Sequence, residues 1–241
     1  MNPWWSEHAP FIEPFGLQHL VYIAIVALLL VGLLKNQAFV KKHRKKIALV
    51  TLIIFLMQQT LLYSWYVLET GFDVSESLPF HISRVTSILG IIFLITKNRR
   101  LMDIIFFFGI FAYTSFLYPQ RVYEIYHVIG LSFLINHVIT LLLPYFAYIA
   151  YDWRPPAKAV VRAYAAFLVY FTFVYFFNPL VDGNYFYLKY RPVAKDLPEY
   201  LYVPGTLLVT LIGFLIAHFA IRFIMKKTDK QNEPVQSSEA L

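Results

Sequence analysis

Seven apolar stretches, each long enough to cross about 30 Å of hydrocarbon as a helix, occupy roughly 17–35, 46–68, 79–96, 101–118, 124–150, 158–177 and 201–225. Several of them carry isolated polar residues, which marks helices packed in a bundle rather than single anchors. The pattern predicts an all-α integral membrane protein, a seven-transmembrane helix bundle over residues 17–225. Residues 1–16, with Trp4, Trp5, Glu7, Pro10, Glu13 and Pro14, lack the basic stretch and small-residue cleavage site of a signal peptide. They read as an interfacial segment with an aromatic anchor. Residues 226–241 read as a polar, disordered tail. No internal repeat is evident, which argues against an inverted-repeat transporter.

Charge adds a sidedness to this picture. Lys35, Lys41, Lys42, Arg44, Lys45 and Lys46 fall between the first two stretches; Lys97, Arg99 and Arg100 between the third and fourth. Arg154, Lys158 and Arg162 fall between the fifth and sixth, and Arg222, Lys226, Lys227 and Lys230 close the chain. The alternate connections hold only Arg121, Lys189, Arg191 and Lys195, and the segment from Glu69 to Leu78 has acids but no base. Positive residues stay cytoplasmic, so the N-terminus is predicted outside and the C-terminus cytoplasmic. The expected location is the cell membrane, as a multi-pass protein.

Composition agrees and removes several chemistries. The 241 residues are 59% hydrophobic and 19% aromatic, far from a soluble domain. The net charge of +7 is spent flanking the spans, where it faces anionic headgroups; membrane lipids are the expected partners and nucleic acid is not. With no cysteine, disulfides, thiolate metal sites and cysteine nucleophiles are excluded. His127 and His137 lie ten positions apart and no HExxH pair exists, so no metal and no cofactor is predicted.

An ionisable group at bilayer depth costs on the order of 3 kcal/mol, so the polar residues inside spans are the functional candidates. His81 and Arg84 share one face of the third span's first turn, beside Ser83 and Ser87. The fifth span carries Glu124, His127, Ser132, Asn136, His137 and Thr140, with His137 roughly 20 Å along the helix from Glu124. Gln58 and Gln59 sit mid-span in the second stretch, and Asp103 is expected at the interface of the fourth. With this sidedness, most of these groups fall in the extracytoplasmic half, where they suggest one polar cavity faced by His81, Arg84 and His137. Blander readings remain open: a helix-bridging imidazole at His137, a snorkelling His81, and hydroxyls that satisfy their own helix carbonyls. The connection from Asn178 to Tyr200, with the turn-forming Asp182-Gly183-Asn184 followed by aromatics, reads either as a lid or as an amphipathic link. The numerous Phe and Tyr residues are expected to face lipid or the interface.

Leu78-Pro79-Phe80-His81, Asn136-His137 and Gly183-Asn184-Tyr185-Phe186-Tyr187-Leu188 with Arg191-Pro192 resemble, in order and spacing, the YwaF family of small bacterial multi-pass proteins. That family is distantly similar to an animal transmembrane acyltransferase that remodels ether phospholipids, and to androgen-induced membrane hydrolases that cleave fatty acid esters with a Thr and a His. The resemblance implies that His137 is the catalytic histidine. It sets Pro79-Phe80-His81 against a Pro-Cys-His motif, and Phe80 can supply no nucleophile. Ser83 or another hydroxyl would have to substitute, or histidine would act on a bound alcohol or water, or catalysis has been lost.

The leading expectation is a lipid-modifying enzyme, an acyltransferase or acyl-ester hydrolase, with His137, His81 and Ser83 as catalytic candidates. Arg84, Asn136, His127, Gln58 and Asn184 are the substrate-binding candidates. A non-catalytic lipid or solute binder or transporter, or a structural partner of cell-envelope machinery, would use the same polar groups.

Overall fold

A computed structural model describes residues 4–232, with side chains described through Lys226. Nine α-helices are described: α1 (Leu17–Lys35), α2 (Gln37–Lys42), α3 (Arg44–Leu68), α4 (Ile82–Thr96), α5 (Arg99–Phe108), α6 (Ile110–Leu117), α7 (Val128–Tyr151), α8 (Lys158–Val181) and α9 (Glu199–Asn232). No β-strand is described among these residues; one isolated bridge joins Phe11 and Tyr123. Six helical segments are long and apolar enough to cross a membrane, α5 and α6 counting together as Arg99–Leu117. The chain breaks between them at Gly109. α4 is also apolar but has 15 residues, about 22 Å at 1.5 Å per residue, less than the hydrocarbon thickness. α9 runs past Lys226 to Asn232, so helix covers the first part of the segment expected to be a disordered tail; residues 233–241 lie outside the described residues.

α7 is the central helix, packing against α1, α3, α4, α5 and α6. Its faces divide by the helical repeat. Ile139 and Leu143 enter a cluster with Phe55 of α3, Phe93 of α4 and Ile105 of α5, while Leu134 and Leu141 enter another with Tyr22 of α1 and Ala112 and Phe116 of α6. A third cluster joins α5, α8 and α9 through Phe107, Phe108, Phe167, Phe171 and Phe214. Phe55, Phe93, Phe107, Phe167 and Phe214 are at most 1% exposed. The aromatics divide: Phe39, Phe176, Phe219 and Phe223 are exposed on the perimeter, as expected, while the buried rings fill the spaces between helices, in tilted and edge-on pairs such as Phe108 with Phe167 that suit their quadrupoles. Apolar side chains such as Leu28, Val161, Val169 and Phe219 form the exposed perimeter.

One end of the bundle, here the N-terminal end, is closed by residues 4–16 and by the connections 69–81, 118–127 and 182–198. Residues 4–16 do more than lie along a surface. Ile12 N–H donates to Val122 O (2.8 Å) and Val128 N–H to Trp4 O (2.9 Å), and Trp65 Nε1 donates to Trp5 O (2.6 Å). The opposite end collects the basic residues. There Asp103 is enclosed within the protein, 2% exposed; it accepts from Trp153 Nε1 at 3.0 Å and pairs with Arg162. A carboxylate can be enclosed here because a charged and a neutral donor converge on it.

Candidate functional site

The polar residues of the N-terminal half gather around the start of α4. Pro79 and Phe80 lead into His81, which occupies the N-cap position with φ −64° and ψ 138°. Its carbonyl accepts from the N–H groups of Arg84 and Val85 at 2.9 and 3.0 Å, yet its ring makes no capping hydrogen bond. The imidazole instead lies against Tyr185 and Tyr187, with ring centroids 5.0 and 6.0 Å away.

Arg84, one turn on, is 9% exposed. Its Nη1 donates to Glu76 O (2.5 Å) and Leu78 O (2.9 Å), its Nη2 bonds the Tyr66 hydroxyl, and its guanidinium lies 4.7 Å from the Tyr66 ring centroid. A buried guanidinium needs such partners, and here they also tie the 69–81 connection to α3 and α4.

The connection between α8 and α9 reaches the same place. Asp182 ends α8 in the left-handed region. A Cβ on Gly183 would meet Asn178 Oδ1 and Val181 Cγ2 at 3.1 Å and Ser75 O at 3.2 Å, so glycine allows the chain to approach. Asn178 then holds Tyr185 at both main-chain groups, each at 2.9 Å. The Tyr185 hydroxyl donates to Val74 O (2.6 Å) and accepts from Leu78 N–H (3.1 Å). Phe186 inserts its ring among Phe111, Phe167, Tyr170 and Phe171. This connection is thus an inward-turned plug. Burial, foremost among the causes, raises the phenol pKa of Tyr185, so it stays neutral at physiological pH. Asn184 works inside the turn, its Oδ1 accepting from the N–H groups of Lys189 (3.0 Å) and Tyr190 (2.9 Å).

Deeper in the bundle a polar seam joins α3, α4 and α7. Gln58 Nε2 donates to Ser132 Oγ (2.7 Å) and Gln59 Nε2 to Gln58 Oε1 (2.8 Å). One turn along α7, Asn136 Oδ1 accepts from Ser87 Oγ (2.5 Å). Ser87 Oγ also lies 2.8 Å from the carbonyl oxygen of Ser83 one turn back, so its single hydrogen is shared between that carbonyl and Asn136.

His137 follows Asn136 in sequence but is turned about 100° around the helix. Its Nδ1 lies 2.8 Å from Phe133 O and its ring packs on Phe133 and Phe116, centroids 3.9 and 5.6 Å away. It therefore sits on the face toward α6, whereas His81 sits under Tyr185 and Tyr187. His127 caps α7, its Nδ1 accepting from Ile129 N–H (3.1 Å) and its Nε2 lying 3.1 Å from Ser6 O. His81 and Arg84 thus lie together at the start of α4, Gln58, Asn136 and Ser87 belong to the seam, Ser83 joins that seam only through its carbonyl, Asn184 works within the turn beside Tyr185, and His137 and His127 are engaged elsewhere.

Two cavities are described, one of them beside Arg84's partner Tyr66. One, of about 320 Å³, opens at the N-terminal end and is lined by Glu7, Tyr66, Glu69, Thr70, Asp73, Glu76 and Ser77. The other, of about 230 Å³, is apolar and lies where Gly109 and Pro144 face Ile221 and Met225. Among the described residues no group of three His, Asp or Glu side chains could hold a metal ion. Sequence reasoning overlooked Tyr66, since a tyrosine in an apolar run carries no mark of the arginine it will meet. It also overlooked His218 of α9, which is 5% exposed with an Nδ1 that has no hydrogen-bond partner.

The model of the TMEM164 family matches residues 14–223, which take in α1 through most of α9. The chain belongs to the TMEM164 family. No curated protein matches the chain, and no solved structure does. As a member of the TMEM164 family with six helices able to cross a bilayer, this is a multi-pass membrane protein.

Proposed function

We propose that this TMEM164-family protein is a lipid-modifying membrane enzyme, an acyltransferase or acyl-ester hydrolase, with its site at the start of α4. The observation that carries the reading is the state of His81. Three other histidines near this end are engaged by the main chain: His19 by Phe15 N–H and Phe116 O, His127 by Ile129 N–H and Ser6 O, and His137 by Phe133 O. His81 sits where a cap would be, does not cap, and is held by rings beside a buried Arg84. In this reading a bound alcohol or water loses its proton to His81 as its oxygen attacks an ester carbonyl, and the imidazolium returns the proton to the departing alkoxide. The nucleophile comes from the substrate side because Phe80 has none to offer. Arg84, with three of its five N–H donors committed, presents positive charge toward a phosphate or a developing oxyanion.

The resemblance of Leu78-Pro79-Phe80-His81 and the Gly183–Leu188 segment to the YwaF family, and through it to acyl-transferring and ester-cleaving membrane proteins, supports the reaction class. The proposed topology has seven spans, α4 being the short one, with residues 1–16 and the His81 end outside, 17–225 as the membrane domain and 226–241 in the cytoplasm. The basic clusters around Lys41, Arg99, Lys158 and Lys226 support that orientation.

Lipid turnover by the protein in nanodiscs, followed by mass spectrometry, tests this. His81→Asn should lower turnover about 100-fold to 10,000-fold, while His137→Asn, which keeps a polar group on the same face, should lower it less than about tenfold on that scale. The reverse order would transfer the base role to His137. A wild-type protein that retains a lipid without changing it would be a binder and not an enzyme.

A further inference from the structure

We infer that the apolar cavity toward the basic end of the bundle takes an acyl chain of an anionic phospholipid, whose headgroup is held by the cations at the cavity's rim. The cavity forms where two helices interrupt their course. α5 gives way to α6 at Gly109, which contributes no side chain, and α7 carries Pro144, a residue that kinks a helix from within. The two meet closely, since a Cβ on Gly109 would lie 3.5 Å from the Thr140 methyl, one turn before Pro144. Ile221 and Met225 of α9 complete the walls. Thr140, Leu141, Ile221 and Met225 are buried, whereas Leu34, Tyr113 and Ile224, which also line the cavity, are 40%, 44% and 52% exposed. The space therefore has a closed floor and a mouth bounded by α1, α6 and α9.

Size, lining and charge together identify the occupant. Protein interiors hold few voids larger than a water molecule, and this one measures about 230 Å³. An apolar cavity stays free of ordered water and takes up hydrocarbon instead; at bilayer depth the hydrocarbon at hand is an acyl chain. The rim supplies the second observation. Exposed Lys35 follows Leu34 in sequence, exposed Arg222 follows Ile221 and exposed Lys226 follows Met225, while the Arg154 guanidinium stands 5.2 Å from the ring centroid of Tyr148, another lining residue. No acid is among the residues that line the cavity, and among the described residues Lys35 and Arg222 form no ion pair. Long basic side chains near helix ends extend to headgroup level, and a basic pocket between membrane helices suits an anionic headgroup. Apolar floor within the bundle and cations at the helix ends thus follow the order of tail and phosphate in a phospholipid. In the orientation proposed above this is the cytoplasmic leaflet. The cavity lies toward the end of the bundle opposite His81, so its lipid is not the substrate of the proposed reaction.

The test is binding and not turnover, so it stands or falls separately from the enzyme reading. The full-length protein, delipidated in detergent, is titrated with dioleoyl phosphatidylglycerol, dioleoyl phosphatidylcholine and oleate, and intact bound lipid is counted by native mass spectrometry. Phosphatidylglycerol should bind saturably and about tenfold more tightly than phosphatidylcholine. Lys35→Gln/Arg222→Gln should bring phosphatidylglycerol down to the level of phosphatidylcholine and leave the latter within about twofold. Ile221→Trp, which fills the floor, should weaken both phospholipids about tenfold. Ile224→Trp adds its bulk at the exposed mouth and should do the same, which keeps the test decisive should the buried variant not fold. Gel filtration of each variant confirms that a lost signal is not a lost fold. The inference is overturned if the two phospholipids bind the wild type equally, if the charge variant keeps the preference, or if Ile224→Trp binds as the wild type does. Displacement of phosphatidylglycerol by an equal concentration of oleate would also overturn it, by making a free fatty acid the occupant.

Discussion

Asp103 and Arg162 bring together, across the α5 and α8 contact, two charges that a linear reading assigns to separate places. The carboxylate side chain is 3% exposed and the arginine 32%, so removing either partner has unequal consequences. Arg162→Ala leaves Asp103 enclosed with only the Trp153 N–H, and a stranded buried charge costs about 3–5 kcal/mol. Asp103→Asn/Arg162→Ala removes the stranded charge and should recover much of that loss. Thermal unfolding of both variants in detergent is the measurement, with the single variant melting lower than the double; equal melting points would show that the pair contributes little. Arg84 differs in kind. Its pairing is with carbonyls and a phenol, not a carboxylate, so it keeps a net positive charge at the start of α4, where the proposed chemistry needs one.

Among the elements, α7 depends on a close backbone approach at its first turn. A Cβ placed on Gly130 would lie 2.0 Å from Glu124 O and 2.6 Å from Tyr123 O, both fixed main-chain atoms. Those atoms belong to the 118–127 connection, whose Val122 O accepts from the N-terminal segment. Gly130→Ala must therefore push α7 away from the closing layer at this end, and we expect a loss of about 3 kcal/mol, the upper end of the usual range for overpacking, because the clashing atoms are backbone. Gly213→Ala in α9, where nothing lies within 4 Å of the added methyl, should be neutral or slightly stabilising by helix propensity. Folded yield and melting temperature of the two variants check this, and a wild-type yield for Gly130→Ala would contradict the described geometry. The α8–α9 connection illustrates the same dependence. Its aromatics were legible as a turn followed by rings, but whether they lie on the membrane or enter the bundle depends on Asn178, which grips Tyr185 from one turn back in α8. No local pattern distinguishes an asparagine that ends a span from one that folds a loop inward.

At the scale of the whole molecule the topology is open to direct test. Alkaline phosphatase joined after Leu78 or after Asp182 should be active outside the cytoplasm, and the same enzyme joined after Lys97 or Lys226 should be inactive, as charge placement requires. Activity after Lys226 would reverse the proposed orientation. The chain's own order of residues determined that this is a helical membrane protein: apolar runs longer than the bilayer must satisfy their main-chain groups internally, and only a helix does so within one segment. It also marked His81, Arg84 and His137 as costly and therefore meaningful. Which of them meet was decided by tertiary structure alone. Asn136 and His137 are neighbours in sequence yet turn to different helices, one to Ser87 of α4 and the other to Phe116 of α6, because each step along a helix rotates the side chain by about 100°. Glu7, Glu69 and Glu76 are separated along the chain yet line one chamber, because residues 4–16 fold back across the end of α3. Periodicity reports which way a side chain points from its own axis. Only the packing of the axes determines what it meets.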